Sequence, residues 1–312
     1  MSSVTAAAER IAPLVMRTPL VRLHVDDAPA QIWLKLECLQ PIGSFKLRGA
    51  ANAMLSVEPD VLRQGAWTAS AGNMAQGVAW CARHLGVACT VVMPEGAPAT
   101  KVQAVERLGA RVERVPFPDW FEIFETRQFE GMEGFFVHAF DDPAVQAGNA
   151  TIALEILEDL PDLDAVVIPF GGGGLSAGIG AVLQEARPQS RRYGVEVRGA
   201  APLAAAFEAG HPVHIDHRRS FVDGIGVPML FPQMWELAHR VLSGSLVVGL
   251  DEVAAAIRTL VRSNNVVAEG AGAAPVAAAL AGQAGLGKIV CIVSGGNIDP
   301  DKLAVILGGG VP

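Results

Sequence analysis

Apolar runs of strand length alternate with helical patterns along almost all of this 312-residue chain. That alternation admits few folds: parallel strands joined by crossover helices and buried on both faces. Gln31–Glu37, Gly65–Ala69, Ala88–Met93, Arg111–Val115, Ala165–Phe170, Arg192–Val197 and Lys288–Val293 read as strands. Helical patterns cover 47–55, 73–84, 99–108, 148–160, 203–209, 251–263 and 275–281, and another follows the glycines at 171–174 as far as Ala186. Between Asp119 and Phe136 the pattern predicts one helix, then a short strand running out through Phe135-Phe136-Val137-His138. Its aromatics at positions 120, 121, 124 and 129 fall near helical spacing, so core packing explains them. The predicted fold is α/β and two-lobed, with open parallel sheets wrapped by helices. Residues 50–144 form the smaller lobe, and 1–49 with 145–312 the larger.

Hydrophobic residues make up 51% and charged residues 18%, a balance that excludes disorder. A net charge of −8 leaves no basic footprint for nucleic acid or an anionic membrane, so the expected partners are small molecules or copies of the chain itself. Met1–Pro13 has no basic stretch before an apolar one and carries Glu9 early, unlike a secretory signal. The most apolar late stretch, Ala268–Val293, is rich in glycine and alanine and is broken by Gln283 and Lys288, unlike a membrane span. Cys38, Cys81, Cys89 and Cys291 are scattered, form no C-x-x-C pair and read as free thiols in a reducing compartment. A cytoplasmic protein is expected.

Four stretches carry chemistry. Gly171-Gly172-Gly173-Gly174 stands between a strand and a helix, so it exposes a row of unhindered N–H groups at the positive end of a helix dipole. Each glycine costs roughly 0.5–1 kcal/mol of backbone entropy, which a plain turn has no need to spend. Two other motifs overlap this loop. Gly172-x-Gly174-x-x-Ala177 fits a loose dinucleotide fingerprint with Glu196 as the ribose partner, although that fingerprint should end the first strand of its fold. Gly174-Leu175-Ser176-Ala177-Gly178 fits a nucleophile elbow, but the last histidine is His239, with no strand-end acid evident. Ser70-Ala71-Gly72-Asn73 begins a helix where a strand ends and offers amides to a carboxylate. Ser294-Gly295-Gly296-Asn297 ends the last strand, at the edge where open α/β sheets place ligands. Lys46, beside Phe45 in Ser44-Phe45-Lys46-Leu47-Arg48, is a candidate nucleophile, because desolvation favours the neutral amine. His211-x-x-His214-x-x-His217 has the look of a metal motif, but Pro212 interrupts any helix and Arg218 and Arg219 point to solvent.

Taken in order, these stretches resemble the fold type II pyridoxal-phosphate enzymes, the tryptophan synthase beta-like group, and within it the threonine/serine dehydratase and serine racemase branch. The likeness runs from Thr18-Pro19-Leu20 to Asn297. Gln40-Pro41-x-Gly43-Ser44-Phe45-Lys46-x-Arg48-Gly49-Ala50 is similar to the cofactor-lysine segment of that family, and Ser70 to Gly77 to its substrate-carboxylate loop. The resemblance implies that Lys46 carries pyridoxal phosphate and moves protons at the substrate Cα. By the same resemblance Phe45 flanks the ring, Asn73 meets its 3-hydroxyl, Gly171, Gly172, Gly173, Gly174 and Leu175 hold its phosphate, and Ser294 meets its nitrogen. Ser70, Ala71, Gly72, Asn73 and Met74 are the implied substrate-binding residues. The larger lobe would bind the cofactor, and the smaller would carry the substrate loop. A homodimer is the implied assembly.

A neutral serine at the ring nitrogen leaves a weaker electron sink than a carboxylate would, which favours loss of a β-leaving group over transamination. The implied reaction is dehydration of a β-hydroxy-α-amino acid to a 2-oxoacid and ammonia. Three departures shape it. Ala71 stands where racemases of the branch typically have a second acid/base serine, which turns the expectation toward dehydration. The cation site of the family pairs the acid at Glu196 with an aspartate six residues on, here Pro202, so no metal ligand set is expected. Met74 replaces a histidine and suggests a larger or more apolar side-chain pocket, open to threonine, serine or a bulkier analogue such as phenylserine. The chain ends about fifteen residues past Asn297, leaving no room for a C-terminal regulatory domain, so feedback by isoleucine is not expected. Within the family the alternatives are a racemase, a β-replacement enzyme or a hydroxyaspartate dehydratase; outside it, a nicotinamide-dependent oxidoreductase.

Overall fold

The computed structural model describes residues 1–312. Its strands are β1 (Leu20–Arg22), β2 (Gln31–Lys35), β3 (Ala66–Ala69), β4 (Cys89–Pro94), β5 (Arg111–Val115), β6 (Phe135–Phe136), β7 (Ala165–Pro169), β8 (Arg191–Val197), β9 (Gly244–Val248) and β10 (Lys288–Ile292). They form two sheets, each within its own compact unit.

The larger unit comprises Met1, Arg17–Leu39 and Ile152–Pro312. Its sheet runs β1-β2-β10-β7-β8-β9, parallel throughout except for the antiparallel β1–β2 pair. Every residue of β7 is buried, as a central strand covered on both faces requires. The helix Gly270–Leu280 is buried along nearly its whole length, because its glycines and alanines let neighbouring backbone approach closely. Gly272 shows how closely: a Cβ there would lie 2.6 Å from the Gly295 carbonyl oxygen. Since β7 and β10 are adjacent and parallel, with Cys291 opposite Val167, both release their following loops at the same carboxyl edge. Those loops are Gly171–Gly174 and Ser294–Asn297.

The smaller unit comprises Ser2–Met16 and Gln40–Thr151, with a parallel sheet in the order β5-β4-β3-β6. It is larger than the lobe expected at 50–144. The helix Lys46–Leu55 lies against the helix Asn73–Leu85, where a Cβ on Gly77 would stand 3.3 Å from both the Ala50 Cβ and the Lys46 carbonyl oxygen. Arg10, on the first helix, donates to Asn52 Oδ1 at 2.6 Å, and a Cβ on Gly49 would meet Asn149 Oδ1 at 2.8 Å. Small residues at these crossings bring residues 2–16, 40–49 and 145–151 into the smaller unit, and Lys46 with them. No helix is long and apolar enough to cross a membrane.

Candidate active site

In the smaller unit, the residues before Lys46 are fastened at both ends of the turn. Gln40 Nε2 donates to the Met16 carbonyl at 2.8 Å, and the Met16 N–H donates to Gln40 Oε1 at 3.0 Å. Arg48, 1% exposed, donates to Thr151 Oγ1 at 3.0 Å and to the Met16 carbonyl at 3.2 Å. A buried guanidinium stays buried only when hydrogen-bonded, so these contacts fix the first turn of the helix that starts at Lys46. Lys46 is half-buried; its Nζ donates to the Ala139 carbonyl at 2.7 Å and lies 5.2 Å from the centre of the Phe45 ring.

The fully buried β3 releases Ser70 to Gly72, and the helix Asn73–Leu85 follows. The Ser70 N–H is tied to the Val92 carbonyl at 3.1 Å, and Ser70 Oγ accepts from the Gly72 N–H at 3.2 Å. Open space surrounds Gly72 where a Cβ would stand, and Ser70, Ala71, Gly72 and Asn73 are all half-exposed, as residues that meet a ligand must be. Met74 differs: it is 1% exposed, so its side chain shapes the packing beneath the loop.

In the larger unit, β7 ends in the glycine loop, and the helix Gly174–Ala186 begins there with Gly173 at φ +88°. A Cβ on Gly173 would stand 3.0 Å from Met234 Cε and 3.2 Å from Phe170 Cζ, and one on Gly171 would stand 3.2 Å from the Gly224 carbonyl oxygen. A bulkier loop would fill this cradle. The first-turn amides of the helix have no intrahelical acceptors and suit an anion. Ser176 Oγ, in the same turn, is buried without a partner in the chain. An orphaned hydroxyl beside unpaired amides fits the phosphate of a cofactor. Burial also removes Ser176 from the nucleophile-elbow reading, which requires an exposed hydroxyl.

Ser294 is 2% exposed at the end of β10. Its loop is held by the Gly295 carbonyl, which accepts from the Glu269 N–H at 3.0 Å, and by close backbone approach at Gly272 and Gly296. Glu196 is fully occupied elsewhere. Its carboxylate accepts from the Leu203 N–H at 2.7 Å, the Ala204 N–H at 2.8 Å and Ser245 Oγ at 2.8 Å, and so caps the helix Pro202–Ala209. Burial pushes its pKa up to about 7 against the pull of those three donors. Fully buried in that capping role, Glu196 is not presented to a ribose, against the dinucleotide reading. His211, His214 and His217 lie in an irregular, largely exposed segment.

Two features escaped the sequence reading. The Ala139 carbonyl that accepts from Lys46 belongs to an unmarked Ala-Phe dipeptide far along the chain. The sequence signal for Ser176 is its place just after four glycines, in the first turn of the helix they open.

The family model described as pyridoxal-phosphate dependent enzyme matches residues 11–295. An L-threonine ammonia-lyase of Geobacter sulfurreducens is 38% identical over 314 residues, covering 99% of this chain and 78% of that protein. The solved structure of maize serine racemase superposes with a TM-score of 0.90 at 29% identity, covering 97% of this chain and 95% of that one. The solved threonine deaminase of T.th. superposes with a TM-score of 0.88 at 34% identity, covering 96% of this chain and 98% of that one.

Proposed function

The chain belongs to the family of pyridoxal-phosphate dependent enzymes, and from that premise we propose that it is a dehydratase, taking a β-hydroxy-α-amino acid to a 2-oxoacid and ammonia. Threonine and serine are the first substrates expected. The observation that carries the reading is a neutral hydroxyl, Ser294, at the sheet edge shared with the glycine loop, in a chain 38% identical to a threonine ammonia-lyase.

Lys46 would hold the cofactor covalently through Nζ, with Phe45 beside the ring and Asn73 at its 3-hydroxyl. The amides of Gly171 to Leu175 would hold the phosphate, and Ser294 Oγ the ring nitrogen. Bound there, pyridoxal phosphate supplies a sink for the electron pair left at the substrate Cα. Ser294 is uncharged, so it does not enforce protonation of that nitrogen, and the sink stays shallow. The Ser70 hydroxyl and the Ala71 backbone amide would take the substrate carboxylate, while the Ser70 and Gly72 amides hold the loop in shape. Lys46 Nζ, as base, takes the Cα proton, and the ammonium so formed has the Ala139 carbonyl as acceptor at 2.7 Å. Ala71 has no hydroxyl to exchange that proton, so the chain offers no second acid/base there and the reaction runs to elimination.

Free thiols, buried at Cys81, Cys89 and Cys291 and half-buried at Cys38, support a cytoplasmic location. Burial raises Cys38, Cys81 and Cys89 each to about 12, which keeps them protonated and inert. A dimer of identical chains is the expected assembly, measurable by sedimentation.

The test is product analysis on serine, threonine and phenylserine. Equal yields of 2-oxoacid and ammonia, with no inverted amino acid, are expected. Inversion of the substrate without 2-oxoacid would overturn the dehydratase reading.

A further inference from the structure

The Ala139 carbonyl that accepts from Lys46 has to be aimed, and the groups that aim it surround His138. This histidine is 1% exposed. Its Nδ1 accepts from the Asp141 N–H at 2.8 Å and from the Phe140 N–H at 3.3 Å. Both partners are donors, so Nδ1 carries no proton and Nε2 does; Nε2–H donates to the Phe124 carbonyl at 3.2 Å. The ring stands edge-on to three phenyl rings, those of Phe124, Phe136 and Phe140, with centroids 5.7, 5.9 and 4.7 Å away. Every hydrogen-bonding atom of the imidazole is therefore committed, and the segment from His138 to Asp141 is drawn around it.

The same segment is anchored on each side. Before it, the Val137 N–H donates to the Trp67 carbonyl at 2.8 Å, and the Val137 carbonyl accepts from Thr68 Oγ1 at 2.8 Å. After it, Asp142 Oδ1 accepts from the Ala144 N–H at 2.7 Å and caps the helix Pro143–Asp159. Between these anchors Ala139 is the residue whose carbonyl meets Lys46; the imidazole accepts the two amides that follow it, while Gln146 Nε2 donates to the Phe140 carbonyl at 3.2 Å and Arg127 to the Asp141 carbonyl at 2.9 Å.

We propose that His138 is a positioning residue for Lys46: by accepting the Phe140 and Asp141 amides it fixes the turn whose Ala139 carbonyl holds the lysine whenever Nζ is not bonded to the cofactor. The proposal rests on the reading of Lys46 as the cofactor lysine. Its chemical consequence is that the ammonium formed when Lys46 takes the Cα proton is met by a fixed acceptor and stays in place to pass that proton to the departing β-hydroxyl, which leaves as water. A protonated imidazole would lose the Nδ1 acceptor and release the turn. Burial and the charge of Arg127 oppose that protonation; the Phe124 carbonyl, Asp141 and Asp142 favour it, and the balance holds His138 down to about 4. Asp119, Glu122 and Glu125 lie on the helix Phe117–Thr126 that supplies the Phe124 carbonyl, and Lys46, on the helix Lys46–Leu55 with Arg48, reaches the turn at the Ala139 carbonyl.

The test uses the full chain with pyridoxal phosphate and three variants. His138→Asn keeps an acceptor near the Nδ1 position, His138→Gln moves the polar group outward, and His138→Phe keeps the ring and removes both nitrogens. Expected for H138F and H138Q is a fall in kcat of about tenfold to a hundredfold, the scale of a small misplacement of a catalytic group, with KM within about twofold. The pH at which the cofactor-free chain captures pyridoxal phosphate on Lys46 half-maximally should move down in both, because a carbonyl acceptor favours the ammonium. H138N should restore both quantities. A wild-type capture profile and kcat in H138F, or an H138N as impaired as H138F, would overturn the proposal. If H138F does not fold, nitrogen NMR of the wild-type imidazole decides: Nε2–H with a bare Nδ1 at mildly acidic pH supports it, and a proton on Nδ1 overturns it. Failure of the wild-type chain to capture the cofactor on Lys46 would instead remove the functional reading itself.

Discussion

Between about pH 4.5 and 6.5, His138 and Glu196 tilt the stability of the folded chain in opposite directions, and one substitution at each separates them. The His138 imidazole is held at about 4 in the folded protein against an ordinary 6.5. As pH falls through 6.5 the unfolded chain takes a proton that the folded chain refuses. This contribution is complete above pH 6.5 and is lost toward pH 4; 2.5 pH units at about 1.4 kcal/mol each give roughly 3 kcal/mol. Glu196 moves the other way, from 4.5 up to about 7, so the folded chain takes the proton first. Its contribution is present below pH 4.5 and is lost as pH rises to 7, again by roughly 3 kcal/mol. The Ser245 hydroxyl can turn from donor to acceptor when Glu196 is protonated, so the cap survives titration. In the wild-type chain the two slopes, each about 1.4 kcal/mol per pH unit, nearly cancel. His138→Phe should leave stability falling as pH rises, and Glu196→Gln should leave it rising. Urea unfolding of the three proteins at steps from pH 5 to 6.5 measures this; a two-step unfolding would show one slope in each step. Parallel profiles for the two variants would show that His138 and Glu196 do not titrate in opposite directions.

Three further outcomes follow from the geometry. Gly173→Ala puts a Cβ at φ +88° and 3.0 Å from Met234 Cε, so it should cost about 1–2 kcal/mol of stability and weaken pyridoxal-phosphate binding measured by absorbance titration. Ser294→Asp supplies a charged partner for the ring nitrogen and should raise the fraction of turnovers ending in transamination, read by product analysis, while lowering the dehydration rate. Lys35, fully buried with Nζ 2.5 Å from Glu155 Oε2 and 2.6 Å from the Thr18 carbonyl, should cost about 3–5 kcal/mol as Lys35→Met, measured by thermal or urea unfolding.

Much of the architecture was legible because the strands that carry loops are continuously apolar. β2, β3, β4, β7, β8 and β10 each stand within a residue or two of their predicted spans, and the glycine loop lies between β7 and its helix as the pattern required. What escaped notice lies at edges and ends. β1 is three residues long and antiparallel, and β9 is a mostly half-exposed edge strand, so neither has a buried apolar run to betray it. The helix expected from Gly148 starts at Pro143, because Asp142 caps it and proline suits the first turn; both signals lay in Asp141-Asp142-Pro143. The unit boundary shifted for a reason no local pattern carries: Gly49, Gly77 and Gly148 are contact points between helices distant in sequence. His138 was invisible for the same reason, since its partners at Phe124, Phe140 and Asp141 form a site only after β6 and the following turn are in place.

Lys46 is the residue proposed to carry pyridoxal phosphate. Borohydride reduction of the cofactor-loaded chain, followed by peptide mapping, tests it directly. Expected are loss of the visible absorbance and a single labelled peptide containing Lys46, absent from Lys46→Ala. A label on Lys35, Lys101, Lys288 or Lys302, or undiminished labelling of Lys46→Ala, would contradict it.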